Sequence, residues 1–139
     1  MKLVVIESPL RGEVPAWCPR WLAGTVESIR RELNKAYAAR CMQDALRRGE
    51  APYASHLLFD RPGVLNDAVP AERELGIRAG LAWGERAELR AVYCDHGITE
   101  GMARGIAARP KGQQVVFRML DGKIEEFEVA RAFGERQDT

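Results

Sequence analysis

Residues 88–107, ELRAVYCDHGITEGMARGIA, decide the fold. Leu89, Ala91 and Val92 make Glu88–Cys94 read as a strand. Asp95-His96-Gly97 is a turn, and Gly97 permits a tight bend. Thr99 opens a short helix to Ala108, ended by Pro110 and Gly112. A strand that passes through a tight turn into a helix is half of a parallel β-α-β unit.

The same alternation extends in both directions. Leu3-Val4-Val5-Ile6 reads as a strand buried on both faces, ended by Glu7-Ser8-Pro9. Gly12–Gly24, with Pro15, Trp17, Pro19 and Trp21, reads as an irregular loop with apolar anchors. A helix is expected from Thr25, its N-cap, to Arg48, with Gly49 closing it. Val26, Ile29, Leu33, Tyr37, Cys41 and Leu46 lie near one stripe, while Arg30, Arg31 and Lys35 sit mostly off it. Pro52–Phe59 reads as a second strand and 60–69 as a loop. Pro70 suits the first turn of a helix over 71–83. Val115–Leu120 is a fourth strand, and Asp121-Gly122 a hairpin turn into an antiparallel edge strand, Ile124–Val129. The expected architecture is an α/β domain with a mainly parallel sheet of about five strands, helices on both faces and a C-terminal edge hairpin. The domain covers 1–134, and 135–139 is a frayed tail.

Composition narrows the class. A chain of 139 residues fits one domain. Apolar content of 46% with 29% charged residues is globular, not disordered. The balance of 21 Lys and Arg against 20 Asp and Glu argues against a nucleic-acid groove. Cys18, Cys41 and Cys94 have no metal spacing, so neither a zinc site nor a disulfide framework is expected, and a reducing cytoplasm is the simpler compartment. The apolar run Leu3–Ile6 is too short for a signal peptide or a membrane span. No Walker loop, dinucleotide fingerprint, metalloprotease motif or nucleophile elbow occurs, so no cofactor or metal is expected.

Parallel sheets bind ligands beyond the carboxyl ends of their strands. Glu7–Gly12, Tyr53–His56 and Asp95–Thr99 project there, and Tyr93–Gly97 with the following helix is the expected centre of the site. Asp95, a permissive Gly97 and Thr99 at a helix start make a polar pocket with backbone N–H donors suited to an anion. Gly97, Gly101 and Gly105 leave one helix face bare, for a ligand or for close helix–strand packing. Glu100 is either an acid or nucleophile near Asp95 or an exposed carboxylate favoured by the helix dipole. Arg11, following Ser8, either clamps a phosphate or carboxylate or lies on the surface. His56, beside Ser55 and Tyr53, is a ligand contact or a structural imidazole. Cys94 adjoins Asp95, whose charge would raise the thiol pKa and argues against a catalytic role. Trp17 and Trp21 form an aromatic lid, or pack on the surface or at a dimer contact.

VVIESPLRG (4–12), NKAYAARCMQDALRRGEAPYASHLLF (34–59), PAERELGIRAGLAW (70–83) and AVYCDHGITEGMARGIAAR (91–109) resemble an uncharacterised phage and bacterial family similar to the nucleoside 2-deoxyribosyltransferases. The resemblance spans roughly 2–108. It implies a flavodoxin-like, deoxyribosyltransferase-like fold, a homo-oligomer, and a nucleoside or nucleotide at the sheet's carboxyl edge. The transferases carry Asp-x-Gly-Thr and then a nucleophilic Glu six residues after the Asp. Asp95 and Gly97 match, Ile98 stands at the Thr place, Thr99 is one later, and Gly101 occupies the Glu place. Glu100 is one residue early, a rotation of about 100° on a helix. On this resemblance Glu100 is the nucleophile and Asp95 positions base or sugar, with Glu7, Asp67 and Glu72 as further carboxylates in nearby loops. Ser8, Arg11, Ser55, His56, Gly97, Thr99, Gly101 and Met102 are the expected ligand contacts. The chain is then an N-glycosidase or transferase relative. Gly101 favours the rival expectation of a non-catalytic module that sequesters a nucleotide-derived ligand. A third expectation is a protein-binding factor using the Trp17/Trp21 loop. No membrane partner is expected.

Overall fold

The computed structural model describes residues 1–120 and the backbone of Phe127–Glu128. The elements are β1 (Leu3–Glu7), α1 (Arg20–Arg47), β2 (Ala51–Tyr53), α2 (Ser55–Leu58), α3 (Pro70–Gly84), β3 (Leu89–Tyr93), α4 (Glu100–Ala107), β4 (Gln114–Arg118) and β5 (Phe127–Glu128). They form an α/β structure around one sheet in the order β2-β1-β3-β4-β5. β1 to β4 are mutually parallel, and β5 is antiparallel to β4. The Asp121-Gly122 turn, most of the expected Ile124–Val129 strand and the 135–139 tail lie outside the described residues.

Period-two alternation sorts the strand side chains onto two faces. Val4, Ile6, Leu89, Ala91, Tyr93 and Val116 pack with Tyr37, Cys41 and Ala45 of α1. Val92, Val115 and Phe117 pack with Met102 and Ile106 of α4 on the other face. α3 also lies on that second face, where Gly84 meets Val5 and Arg90. Strands buried on both sides account for the near-continuous apolar run in β1.

Two expected elements differ. α1 begins at Arg20, not Thr25, so Trp21 is helical rather than part of a loop. Pro19, with φ −60°, stands as the N-cap and directs the chain into the helix. Gly24 costs about 1 kcal/mol inside a helix, too little to stop one that gains four earlier residues. The expected apolar stripe is buried only at Tyr37 and Cys41, whereas Ile29, Leu33 and Leu46 are exposed. The N-terminal half of α1 therefore runs past the sheet.

The second difference is the strand expected over Pro52–Phe59. β2 ends at Tyr53 after three rungs with Leu3, Val4 and Val5. As an edge strand it tolerates Pro52 but gains ladder bonds from one side only. Ser55–Leu58 instead close a helical turn, with Leu57 N–H donating to Ala54 O at 3.1 Å and Phe59 N–H to Ser55 O at 2.9 Å. His56 thus sits on α2, not at a strand end.

Ion pairs lie on both faces of the sheet. Glu7 at the end of β1 binds Arg90 of β3. Arg90 Nε also donates to Gln113 Oε1 at 2.9 Å, and Gln113 Nε2 donates to the carbonyls of Gly84 and Ala87. Burial raises the Glu7 carboxyl to about 7, against the opposing pull of Arg90. On the other face Arg118 donates both fork nitrogens to Glu50 at 2.7 Å. Breaking such a pair would strand its partner in low dielectric.

Gly105 of α4 is where the helix meets Glu7: a Cβ there would collide with the carboxylate. A Cβ at Gly101 meets nothing closer than Thr99 Oγ1 at 3.9 Å. Gly105→Ala is therefore expected to cost about 2 kcal/mol or more, since Arg90 prevents Glu7 from swinging aside. Gly101→Ala should be neutral or stabilise by up to about 1 kcal/mol. Urea denaturation of the two variants reads both effects, and equal costs would contradict this packing.

Candidate functional site

The site forms where β1 and β2 end. Ser8 follows β1, and the turn at Ala54 carries the chain from β2 into α2. Ser8 Oγ and His56 Nε2 share a 3.0 Å hydrogen bond, both side chains being buried. Burial lowers the His56 pKa to about 4, aided by Lys35 and opposed by Asp60. At neutral pH the pair is thus an uncharged imidazole against a hydroxyl. α3 seats closely on α2, because Gly80 faces Ser55 with no room for a bulkier side chain.

A concavity opens beside this pair. Leu10, Phe59, Leu65 and Ile77 give it apolar walls. Ser55, His56 and Asp60 line one polar side, and Asp67, Glu72 and Arg73 another. A second groove shares Asp67 and Arg73 with the first and adds Arg11, Glu27 and Arg31.

The overhanging half of α1 shapes this region. Arg31 donates to Asp60 Oδ2 at 3.1 Å and lies 3.4 Å from Asp67 Oδ2. Asp67 Oδ2 is buried with no hydrogen bond, so that charge contact is its compensation. Lys35 Nζ donates to the Asp60 carbonyl at 2.7 Å. Asp67 N–H donates to Asp60 Oδ1 at 3.3 Å, which draws the loop closed on itself. Two cations one helical turn apart thereby fasten the 60–69 loop.

The Asp95 turn is built differently. The Asp95 carboxylate accepts from Tyr37 O–H and from Leu120 N–H at 2.9 and 3.0 Å. Asp95 N–H donates back to Tyr37 Oη at 3.2 Å. Burial and Asp95 together raise the Tyr37 hydroxyl well above its usual range. Tyr37 also meets the His96 ring edge-on at 4.6 Å between centroids. Asp95 thus joins the ends of β3 and β4 to α1. Gly97 has φ +83°, the left-handed turn its residue type suits. Thr99 caps α4 by accepting from Met102 N–H at 3.2 Å, and Met102 is buried. The Glu100 side chain is 81% exposed and pairs with Arg104 at 3.1 Å.

The structure therefore places Ser55 and His56 on one concavity, Ser8 buried behind it and bonded to His56, and Arg11 on the adjoining groove. Asp95, Gly97, Thr99, Glu100, Gly101 and Met102 line neither. Lys35, Asp60 and Arg73 entered only through the structure. Their signal was slight: basic residues one turn apart on a helix, facing a Pro- and Gly-containing loop with two aspartates. Among the described residues no group of His, Cys, Asp and Glu is arranged to hold a metal ion, and no helix is long and apolar enough to cross a membrane.

The His56 shift has a consequence for stability. Below pH 6.5 the unfolded imidazole takes up a proton that the folded one refuses until about pH 4. The contribution is complete above pH 6.5 and is lost as pH falls toward 4. His56→Gln should remove roughly 2–3 kcal/mol of the acid sensitivity between pH 7 and 4.5, measured by urea denaturation. Identical pH profiles for variant and parent would show that His56 is not held neutral.

Searches of curated proteins and of solved structures returned no match. One family model, described as a domain of unknown function (DUF7768), matches residues 2–118, which takes in β1 to β4 and every residue of the two concavities. The chain belongs to this family, the domain of unknown function DUF7768.

Proposed function

We propose that this protein is a flavodoxin-like module that binds a nucleoside or nucleotide, related to the nucleoside 2-deoxyribosyltransferases, and that it holds its ligand intact. The strand order β2-β1-β3-β4 supports the fold, since doubly wound sheets of this order seat ligands at their carboxyl edge. The buried Ser8–His56 pair carries the functional reading. Its His56 lines the concavity with Leu10, Phe59 and Ile77 as an uncharged imidazole fixed by the bond to Ser8. A flat heterocycle with a polar edge matches that combination of apolar wall and few convergent polar groups.

Cleavage of an N-glycosidic bond is the second reading. Retention in such chemistry needs a carboxylate close to the reacting carbon. Glu100 points outward to Arg104, and Asp95 is engaged by Tyr37 and Leu120. The carboxylates at the concavity are Asp60, Asp67 and Glu72, and these favour cleavage if it occurs. Binding is preferred because Asp60 and Asp67 already neutralise Arg31 and Lys35. The exposed Trp17, Trp21, Ile29 and Leu33 support a homo-oligomer.

The test is a thermal-shift series with the common 2′-deoxynucleosides and their 5′-monophosphates, followed by chromatography of the recovered ligand. At least one is expected to raise Tm by a few degrees and to be recovered whole. Ser8→Ala and His56→Gln should each weaken binding about tenfold, the worth of one buried hydrogen bond. Release of free base above the protein-free control would favour the enzyme. No shift with any member would refute the nucleotide reading.

A further inference from the structure

We infer that the groove beside the Ser8–His56 concavity is an anion subsite for a phosphate, so that the ligand is a nucleoside monophosphate rather than a nucleoside. This rests on the nucleotide reading above. The two cavities are continuous through Asp67 and Arg73, which line both. A molecule seated against His56 would therefore extend its polar end toward Arg11, Arg31 and Arg73.

These three arginines are not equivalent. Arg31 is already engaged, lying 3.5 Å from Glu27, 3.1 Å from Asp60 and 3.4 Å from Asp67. Arg73 has one distant ion pair, 3.9 Å from Asp67. Arg11 is exposed and makes no ion pair among the described residues. Its backbone is nonetheless fixed: Asn34 Nδ2 donates to the Arg11 carbonyl at 3.0 Å and to the Leu10 carbonyl at 3.3 Å. Gly12 lies so close to α1 that a Cβ would strike the Glu27 carbonyl. A guanidinium with no ion pair among the described residues is thus carried on a pinned backbone in the lining of a polar groove.

The charge is of the right sign. Arg11, Arg31 and Arg73 face Glu27 and Asp67 in the groove, and Lys35 offsets the Asp60 carboxylate beside Arg31, leaving one positive charge in excess. Glu27 is half exposed and can turn to solvent. A phosphate monoester carries about −1.5 to −2 charges at neutral pH and accepts from several donors at once. Arg11 and Arg73 can meet it bidentately while Arg31 keeps the loop closed.

Isothermal titration with the same deoxynucleosides and 5′-monophosphates separates the possibilities. A monophosphate is expected to bind about tenfold or more tightly than its nucleoside, the worth of one charge-assisted contact. Arg11→Gln should cut monophosphate affinity about tenfold while leaving nucleoside affinity unchanged, and Arg73→Gln should behave alike. Ser8→Ala should weaken both ligand classes. Equal affinity of nucleoside and monophosphate for the parent, or equal loss of both in Arg11→Gln, would overturn the subsite and leave the pocket standing. Failure of both classes to bind would remove the nucleotide reading, and the subsite with it.

Discussion

The ion pair between Glu7 and Arg90 is the constraint from which the rest of the structure follows. It places opposite charges on adjacent central strands, on the face covered by α3 and α4. Arg90 is buried and Glu7 is only 16% exposed, so loss of either would strand the other. Three sequence choices answer to it. Gly105 clears space for the carboxylate beneath α4, Gly84 clears space for the guanidinium beneath α3, and Gln113 takes the remaining Arg90 Nε–H. The pair fixes the last residue of β1, and Ser8, Leu10 and Arg11 follow directly from it. A buried ion pair thereby sets the register of the segment that borders the concavity.

The second constraint is the overhang of α1. A helix of 28 residues is far longer than a sheet of five-residue strands can cover. Only Tyr37, Ala38, Cys41 and Ala45 are buried. The preceding turns reach beyond the carboxyl edge and deliver Arg31 and Lys35 to Asp60 and Asp67. Asn34 takes hold of the β1–α1 loop from the same helix. One element thus fastens both loops that border the concavity, and polar residues off its apolar stripe do that work.

Much of the fold was legible in the sequence because its signals are local. The apolar runs of β1 and β3, Pro70 at the start of α3, Gly97 in its left-handed turn and Thr99 at the head of α4 each act within a few residues. What was not legible was one local competition and several effects of distant partners. The start of α1 depended on Pro19 outweighing Gly24. The break in Pro52–Phe59 arose because β2 lies at an edge, and edge position is a property of the sheet. The residues expected at the site divide between two places. Ser55 and His56 line the concavity and Ser8 bonds to His56, whereas Asp95 spends its carboxylate on Tyr37 and Leu120, partners far away in sequence. A strand-end aspartate looks the same in sequence whether it faces a ligand or ties two strands and a helix together.

On the proposed function, ligand sits between the ends of β1 and β2, beside His56, and not at the Asp95 turn. The chain has two histidines, one at each place. His56 borders the concavity, and His96 lies in the turn against Tyr37. Their ring-proton resonances can be followed by NMR while a 2′-deoxynucleoside 5′-monophosphate is added. The account predicts that the His56 resonances shift with a saturable dependence on ligand while those of His96 stay in place. Movement of His96 with His56 unchanged would contradict it.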